Sequence, residues 1–295
     1  MGAFDAKNRS NLALRVVSGL ALFPIAVWLT LLGGLPFGLL AGAAAAVCAI
    51  ELVLMFSRIG VGEAFGIAFA GAIPLMAAYA DGEAILPGWA GIAFASATVA
   101  LLTLFLFRGE PLESVPRSMS TVALAWMYCG LLIAALVGVR IRFGFAWVIM
   151  AFVVAWLNDT AAYFAGHSFG RHPLFPRISP KKTWEGFAGG IAGSVVGALV
   201  VRWLFLPEVL RSLSLSGRVA WEGDAPTIGG AVLVGLGAAV VGPLGDLAES
   251  MVKRAAGVKD SGRTIPGHGG LLDRIDALLF VAPWIYLCAG WLAGG

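Results

Sequence analysis

The sequence predicts an all-α, polytopic integral membrane protein, and three observations support this fold class. Hydrophobic residues make up 59% of the 295 positions and charged residues only 13%, whereas ordinary soluble domains carry about 25% charged residues. Apolar runs long enough for a helix to cross a bilayer recur from residue 15 onward. Most charged residues lie in short segments between these runs. Little of the chain is therefore left for a soluble domain, and we expect no nucleic-acid partner.

Apolar runs bounded by charged residues, Gly or Pro predict about nine membrane-spanning helices. Their predicted ranges are 15–32, 35–57, 63–80, 85–107, 118–139, 143–166, 184–207, 226–248 and 271–293. The first five spans form an N-terminal region, residues 1–140, and the last four form a C-terminal region, residues 141–295, with two basic loops. An odd number of spans places the two termini on opposite sides of the membrane.

The distribution of Lys and Arg predicts the orientation of these spans, because basic residues are retained on the cytoplasmic side during insertion. With the N-terminus in the cytoplasm, 15 of the 20 Lys and Arg residues fall in cytoplasmic segments. This orientation also places the charged segment 250–276 in the cytoplasm, where nucleotides are available.

The predicted eighth span contains a proline that is followed by a stripe of charged side chains. Pro243 lacks a backbone N–H, so we expect the helix to break or kink at this position, and the following segment can then point in a new direction. On a helix, Asp246, Glu249 and Lys253 share one face. Two carboxylates and a cation on one stripe could bind a divalent metal together with a phosphate. Ion pairs at a helix end on the membrane surface explain the stripe equally well.

The predicted ninth span begins with two aspartates after a Gly-rich turn. Asp273 and Asp276 share a helix face, and the turn at Gly269 and Gly270 can present backbone N–H groups to an anion. Carboxylates beside basic residues suit Mg²⁺ bound to a polyphosphate. Taken singly, either aspartate is also explained by the attraction between a carboxylate and a helix N-terminus. We interpret His268 as a phosphate or turn contact and not as a metal ligand, because no second His or Cys stands near it.

A second basic segment, residues 170–186, separates the predicted sixth and seventh spans. Its prolines rule out a continuous helix, so we expect an ordered loop in which Thr183 caps the start of the seventh span. Retention of basic loops in the cytoplasm explains the charge of this segment. It does not explain the sequence Ser-Pro-Lys-Lys-Thr-Trp-Glu-Gly.

Two further polar positions lie inside predicted spans, where ionisable groups are costly and suggest function. Asn158 and Asp159 fall late in the sixth span, where a structural polar pair between helices is a competing interpretation. Glu51 stands alone in the second span. A hydrogen-bonded interhelical carboxylate explains Glu51 at least as well as a catalytic role does.

Three motifs resemble the signatures of one enzyme family. The longest, residues 250–276, contains Ser-x-x-Lys-Arg, then Lys-Asp-x-Gly, then Ile-Pro-x-His-Gly-Gly-x-x-Asp-Arg-x-Asp. The others are Asp-x-x-Ala-Tyr at 159–163 and Ile-Ser-Pro-Lys-Lys-Thr-Trp-Glu-Gly at 178–186. Together they resemble phosphatidate cytidylyltransferases, also called CDP-diacylglycerol synthases. The resemblance covers the chain from Trp156 onward, and one departure is His167, where family members usually carry Arg or Lys.

The resemblance implies a multi-pass enzyme of the bacterial inner (plasma) membrane, with its active site facing the cytoplasm. Such an enzyme joins CTP to phosphatidic acid and releases CDP-diacylglycerol and pyrophosphate. In this family the aspartates that match Asp246 and Asp273 hold Mg²⁺, with a second, monovalent cation such as K⁺ close by. Our mechanistic hypothesis adds Glu249, Asp276 and Asp159 as further candidate metal ligands or as residues that orient metal-bound water.

The resemblance also assigns roles to the polar residues of the motifs. The predicted catalytic residues are Asp246, Asp273, Lys253, Arg254 and Lys182. The predicted substrate-binding residues are Ser179, Lys181, Lys182, Thr183, Lys259, Asp260, Arg263, His268, Gly269, Gly270 and Arg274. The residues of the 179–182 run would face the phosphate of the lipid or of CTP, and that choice stays open.

Two other functions would also place carboxylates and basic residues in a polytopic protein. A CTP-dependent lipid kinase, such as a polyisoprenol kinase, would release CDP instead of pyrophosphate. A secondary transporter would place its charged site near the bilayer midplane between two similar halves, whereas the polar residues here concentrate at one membrane face in the last four spans. The Asp-Gly-x-x-Ala-Arg run of CDP-alcohol phosphotransferases is absent from the sequence. The small residues of the spans are compatible with a homodimer.

Overall fold

A computed structural model describes residues 24–80, 85–107, 111–206, 225–265 and 269–293, and this part of the chain is almost entirely helical. The N-terminal helices are 24–32 (α1), Gly34–Phe56 (α2), Val61–Ala77 (α3), Ala90–Leu106 (α4), Val115–Leu124 (α5) and Leu132–Phe143 (α6). A 3₁₀ turn, Leu112–Ser114, precedes α5, and a π-helical stretch, Ala125–Leu131, joins α5 to α6. The C-terminal helices are Phe145–Phe169 (α7), Trp184–Leu204 (α8), Ile228–Ala255 (α9) and Leu272–Ala293 (α10).

Six of the described helical stretches are long and apolar enough to cross a membrane, which confirms a multi-span helical protein but not the count of about nine. The six are α2, the continuous stretch Leu112–Phe143, α7, α8, α9 and α10. The predicted spans 63–80 and 85–107 correspond to the shorter apolar helices α3 and α4, each of 17 residues. Half of the predicted span 15–32 lies outside the described residues, and the other half is α1. The nine-span count and the division at residue 140 therefore stay predictions.

The predicted break at Pro243 is wrong, because α9 runs without interruption from Ile228 to Ala255. A proline removes one backbone hydrogen bond from a helix, and membrane helices tolerate that loss when neighbouring elements support the chain. Here α9 packs against both α8 and α10, which maintains the helical path through Pro243. The Asp246 side chain therefore projects from a continuous helix.

Small residues allow the C-terminal helices to approach one another closely. A side chain at Gly193 of α8 would overlap the carbonyl of Leu157 in α7. A Cβ atom at Gly245 of α9 would lie 2.5 Å from the carbonyl oxygen of Asp276 in α10. Helices α7 to α10 thus form one packed group, and this group carries all three sequence motifs.

The basic segment between α7 and α8 contains a β-hairpin, which the all-α prediction missed. Its strands are Pro173–Phe175 (β1) and Ser179–Thr183 (β2), and they pair antiparallel. The predicted cap is confirmed, because the Thr183 hydroxyl accepts a hydrogen bond from the backbone N–H of Gly186 at 3.1 Å. The hairpin is thereby joined rigidly to the start of α8.

Glu185 ties the base of the hairpin together. Its Oε2 atom accepts hydrogen bonds from the backbone N–H groups of Arg171 at 3.1 Å and His172 at 3.3 Å. Its Oε1 atom lies 2.6 Å from Nδ1 of His172. The acidic residue inside the basic motif is therefore a structural partner of the segment that precedes β1.

Candidate active site

A cavity of about 820 Å³ opens where the hairpin meets α7, α8, α9 and α10. This volume falls within the usual range of small-molecule sites, about 300–1,000 Å³. Eight residues selected from the sequence line it: Asp159, Lys181, Lys182, Thr183, Asp246, Lys253, Asp273 and Asp276. The fold thus brings the three motif segments around a single cavity.

Lys182 connects the hairpin to α9 through Asp246. The Nζ atom of Lys182 lies 2.6 Å from Oδ2 of Asp246 and donates to the carbonyl oxygen of Pro243 at 3.5 Å. The Ser250 hydroxyl, one turn further along α9, donates to Oδ1 of Asp246 at 3.3 Å. The Lys182 and Asp246 side chains are 24% and 33% exposed, so a ligand in the cavity can reach both.

Lys253 links two carboxylates from different helices. Its Nζ atom lies 2.6 Å from Oδ1 of Asp273 and also pairs with Glu249, one turn earlier in α9. Glu249 is fully buried, and a buried carboxylate requires such a partner to offset its lost hydration. Glu249 does not line the cavity, whereas Lys253 does. The ion pair that was the alternative explanation of this stripe is present, and Lys253 reaches α10 in addition.

Asp273 is oriented by the segment that precedes α10. Its Oδ2 atom accepts hydrogen bonds from the backbone N–H of Ser261 at 2.9 Å, the Ser261 hydroxyl at 2.9 Å and the backbone N–H of Gly270 at 3.1 Å. Gly269 adopts a φ of 87°, which glycine reaches without strain and which allows the turn before α10. Ser261 is a site residue that the sequence did not predict. Its position inside the long motif was the signal that could have indicated this role.

The carboxylates at the cavity fit the chemistry of a magnesium site. Asp159, Asp246 and Asp276 all line the cavity, and Mg²⁺ is commonly held by one or two carboxylates together with phosphate oxygens. The Asp246 carboxylate already pairs with one cation, the Lys182 ammonium. Within the described ranges, no group of three or more His, Cys, Asp or Glu side chains forms a complete metal site. Substrate oxygens would therefore have to complete the coordination.

The other predicted catalytic and substrate-binding residues are less enclosed. The exposed members are Arg254, Lys259, Asp260, Arg263 and Arg274. None of these five lines the cavity as described, and neither does Ser179 on β2. Arg254 donates to the carbonyl oxygen of Val258 at 3.0 Å. His268 lies outside the described residues.

His167, the departure from the family pattern, lies at the cavity. Its ring stacks on that of Tyr163, with centroids 6.0 Å apart and an angle of 7° between the planes. Both side chains line the cavity on the α7 side. The two rings form a flat aromatic surface beside the charged groups.

The polar residues inside the spans, Asn158 and Glu51, are both buried. Asn158 is 2% exposed and packs against Gly190 of α8, where a Cβ atom would lie 3.1 Å from Asn158 Oδ1. Glu51 is 3% exposed, and its carboxylate accepts hydrogen bonds from the backbone N–H groups of Leu271 and Leu272. Glu51 is therefore a hydrogen-bonded interhelical carboxylate, the interpretation that the sequence favoured at least as strongly as catalysis.

Comparison with known proteins assigns the chain to a family. The profile of the family described as "Cytidylyltransferase family" matches residues 13–291. The chain belongs to this family. Membership confirms the resemblance carried by the three motifs and extends it into the N-terminal helices.

Relatives of this cytidylyltransferase-family chain include three bacterial proteins named phosphatidate cytidylyltransferase. The protein of Brucella suis is 34% identical over 94% of this chain and 93% of its own length. The protein of Bacillus subtilis is also 34% identical, over 92% of this chain and 95% of its own length. The protein of Staphylococcus haemolyticus is 43% identical over 140 residues, 48% of this chain and 47% of its own length.

Proposed function

We propose that this protein is a phosphatidate cytidylyltransferase that converts CTP and phosphatidic acid to CDP-diacylglycerol and pyrophosphate. The observation that carries the proposal is the contact between Lys182 of the hairpin motif and Asp246 of the α9 motif inside one cavity. Family membership and the names of the bacterial relatives support the same activity. The apolar helices suit a lipid substrate that remains in the bilayer.

The proposed reaction is an in-line displacement at the α-phosphorus of CTP. A phosphate oxygen of phosphatidic acid forms the new P–O bond, the bond between the α-phosphorus and its bridging oxygen to the β-phosphorus breaks, and pyrophosphate leaves with that electron pair. The attacking phosphate is already anionic near neutral pH, so no dedicated general base is required. The protein supplies positioning and charge neutralisation, which provide most of the catalysis in phosphoryl-type transfer.

Different basic residues would bind the phosphates of the two substrates. Lys253, already in the cavity, would bind CTP phosphates together with the exposed side chains of Arg254, Lys259 and Arg263. Lys181 and Lys182, with Ser179, would face the phosphate of the lipid or of CTP. The remaining members of the proposed substrate site are Thr183, Asp260, His268, Gly269, Gly270 and Arg274.

Asp246 and Asp273 would hold Mg²⁺, with Glu249, Asp276 and Asp159 as further ligands or as partners of metal-bound water. The ion, when bound, would neutralise charge on the CTP phosphates and on the leaving pyrophosphate. A second, monovalent cation such as K⁺ would add charge beside the same carboxylates. The pairing of Asp246 with Lys182 supports this assignment, because a carboxylate that attracts an ammonium also attracts a metal cation.

We place the cavity at the cytoplasmic face of the bacterial inner membrane, with the N-terminus on the same side. The bias of Lys and Arg toward one set of loops supports this orientation. CTP would then enter from the cytoplasm and phosphatidic acid from the bilayer. Homodimer formation is compatible with the small residues of the helices, and the proposal includes no nucleic-acid partner.

The decisive experiment supplies the purified protein with CTP, phosphatidic acid and Mg²⁺ in detergent and measures pyrophosphate and CDP-lipid. We expect equal amounts of both products. A parallel reaction with CTP and a polyisoprenol tests the CTP-dependent lipid kinase, which would release CDP and a phosphorylated lipid. A folded protein that forms none of these products in either reaction would contradict both enzyme assignments and leave the transporter as the alternative to test.

A further inference from the structure

Glu51 of α2 contacts the segment that carries Asp273, although the two lie far apart in the sequence. The Oε1 atom of Glu51 accepts a hydrogen bond from the backbone N–H of Leu271 at 2.9 Å and also one from the hydroxyl of Thr264. The Oε2 atom accepts from the backbone N–H of Leu272 at 2.9 Å and lies 3.2 Å from the Ser261 hydroxyl. Both oxygens of this buried carboxylate are therefore occupied by groups from residues 261–265 and 269–272, the described parts of the segment 261–272.

Two of these donors are backbone N–H groups at the start of α10. The first N–H groups of a helix have no partner within the helix, and the helix dipole favours a negative charge beside them. A buried carboxylate, in turn, loses its hydration and needs several hydrogen bonds to compensate. The Glu51 carboxylate and the two backbone N–H groups therefore satisfy each other's hydrogen-bonding capacity, and this contact joins α2 to the first turn of α10.

Ser261 connects Glu51 to Asp273 directly. Its hydroxyl lies 3.2 Å from Oε2 of Glu51 and 2.9 Å from Oδ2 of Asp273, and its backbone N–H donates to the same Asp273 oxygen at 2.9 Å. A hydroxyl has one hydrogen to donate, so the two carboxylates share this donor. The position of Ser261 is thus defined by hydrogen bonds to both carboxylates.

Two glycines of the long motif make room for this carboxylate. A Cβ atom at Gly262 would lie 2.9 Å from Cγ of Glu51, and a Cβ atom at Gly270 would lie 2.7 Å from its Oε2 atom. Distances this short require a neighbour to move, so the segment can close around Glu51 only because both positions lack side chains. This observation is independent of the hydrogen bonds, and it explains these glycines without reference to a ligand.

We propose that Glu51 is a positioning residue for the cytidylyltransferase reaction: it holds residues 261–265 and the first turn of α10 so that Asp273 and its partner Lys253 face the cavity. Glu51 does not line the cavity itself. It acts through Ser261 and through the first turn of α10. This inference rests on the proposed function for its kinetic test but not for its structural test.

The test compares Glu51→Gln with Glu63→Gln. Glu63 is also fully buried, and its carboxylate accepts a hydrogen bond from the backbone N–H of Gly60 at the start of α3. An amide in place of the Glu51 carboxylate keeps one acceptor oxygen and presents an NH₂ group to donors. We expect Glu51→Gln to lower kcat/KM by about 10- to 100-fold, the usual effect of losing a group that orients a site, and Glu63→Gln to change it less than threefold.

A second variant, Thr264→Val, tests the same contact if Glu51→Gln fails to fold. Thr264 is exposed and donates to Glu51 without contacting Asp273, so Thr264→Val should fold and lose several-fold in kcat/KM. In the double variant with Glu51→Gln, the Thr264 substitution should cause no additional loss, because its partner is already gone. Independent additive losses would contradict the proposal.

Hydrogen exchange provides a readout that does not require activity. In Glu51→Gln the backbone amides of Leu271 and Leu272 should exchange at least tenfold faster than in the wild type, and in Glu63→Gln they should not change. Unchanged exchange at these amides, or equal kinetic losses in the two Gln variants, would overturn the positioning role. A folded wild-type protein that forms no CDP-lipid would instead overturn the proposed function, and the exchange result would then decide this inference alone.

Discussion

At the residue scale, the cavity is built from lysine–carboxylate pairs that cross between elements. Lys182 of β2 pairs with Asp246 of α9, and Lys253 of α9 pairs with Asp273 of α10. In each pair the ammonium neutralises a carboxylate, and in each pair both partners line the cavity. A polyphosphate bound there would attract the two lysines, and a metal ion would attract the two aspartates. The two pairs therefore provide ammonium groups for the substrate phosphates and carboxylates for a metal ion.

The first prediction concerns the two aspartates. Asp246→Asn and Asp273→Asn should each lower turnover by about 100-fold or more, because each removes a negative charge from the proposed cation site. Thermal unfolding in detergent should stay near that of the wild type, since Lys253 keeps Glu249 as a partner when Asp273 is neutralised. Pyrophosphate release over a range of Mg²⁺ concentrations measures the effect. The exposed carboxylate of Glu113 provides the control variant Glu113→Gln. Near-normal rates in either aspartate variant would show that the metal assignment is wrong.

The second prediction concerns Lys182. Lys182→Gln should lower kcat/KM at least about tenfold, because it removes the cation that contacts Asp246 and faces the substrate phosphates. Lys182→Arg should restore only part of the activity, since a planar guanidinium does not replace a compact ammonium in a confined site. Arg177→Gln, at an exposed position outside the cavity lining, is the control and should leave the kinetics unchanged. Full activity of Lys182→Gln would remove the hairpin from the proposed site.

At the element scale, the hairpin and the helices α7 and α8 act as one unit. The Thr183 cap fixes β2 to the start of α8, and Glu185 fixes the segment before β1 to the same helix turn. Close packing of α7 on α8 then places Asp159 of α7 at the same cavity as the hairpin lysines. The position of the basic motif therefore depends on small residues in α8 that lie outside the motif.

The third prediction tests this dependence with Gly193→Val. The new side chain would overlap the carbonyl of Leu157 and force α8 away from α7. Overpacking of this kind costs about 1–3 kcal/mol, so we expect a lower unfolding temperature in detergent together with a loss of activity. Gly91→Val in α4 is the matched control, because a Cβ atom there meets no other atom within 4 Å. Equal effects of the two substitutions would indicate a general response of the helices to valine.

At the scale of the whole molecule, the last four helices and the hairpin surround the cavity, and the N-terminal helices support them from one side. Glu51 of α2 provides one such support through its contacts with the 261–272 segment. The N-terminal region therefore contributes to the site without carrying any of the three motifs. Its contribution is the placement of residues that other helices supply.

The fourth prediction tests the orientation of the molecule. Arg177 in the hairpin and Tyr79 after α3 are both exposed, and the nine-span arrangement places Arg177 in a cytoplasmic loop and Tyr79 at the outer end of the third span. In Arg177→Cys, a membrane-impermeant thiol reagent should label inverted vesicles but not intact spheroplasts, and in Tyr79→Cys the pattern should be reversed. The three native cysteines are buried, so background labelling should be low. Labelling of both positions from the same side would contradict the proposed topology.

Much of the site could be predicted from the sequence, because its components are local. Charged residues within or beside apolar runs indicate the motif at 178–186, the stripe on α9 and the aspartates of α10. The Thr183 cap was likewise predictable from its immediate neighbours. The path of α9 through Pro243 was not, because it depends on packing against α8 and α10 that no local rule contains.

The sequence by itself determined a helical membrane protein, its three polar segments and its family resemblance, since hydrophobic run length, charge placement and motif spacing are properties of the chain alone. Only the tertiary structure decided which charges meet. It paired Lys182 with Asp246, divided Lys253 between Glu249 and Asp273, and brought Glu51 to the start of α10. These contacts join residues from different helices, and their existence depends on how closely those helices pack.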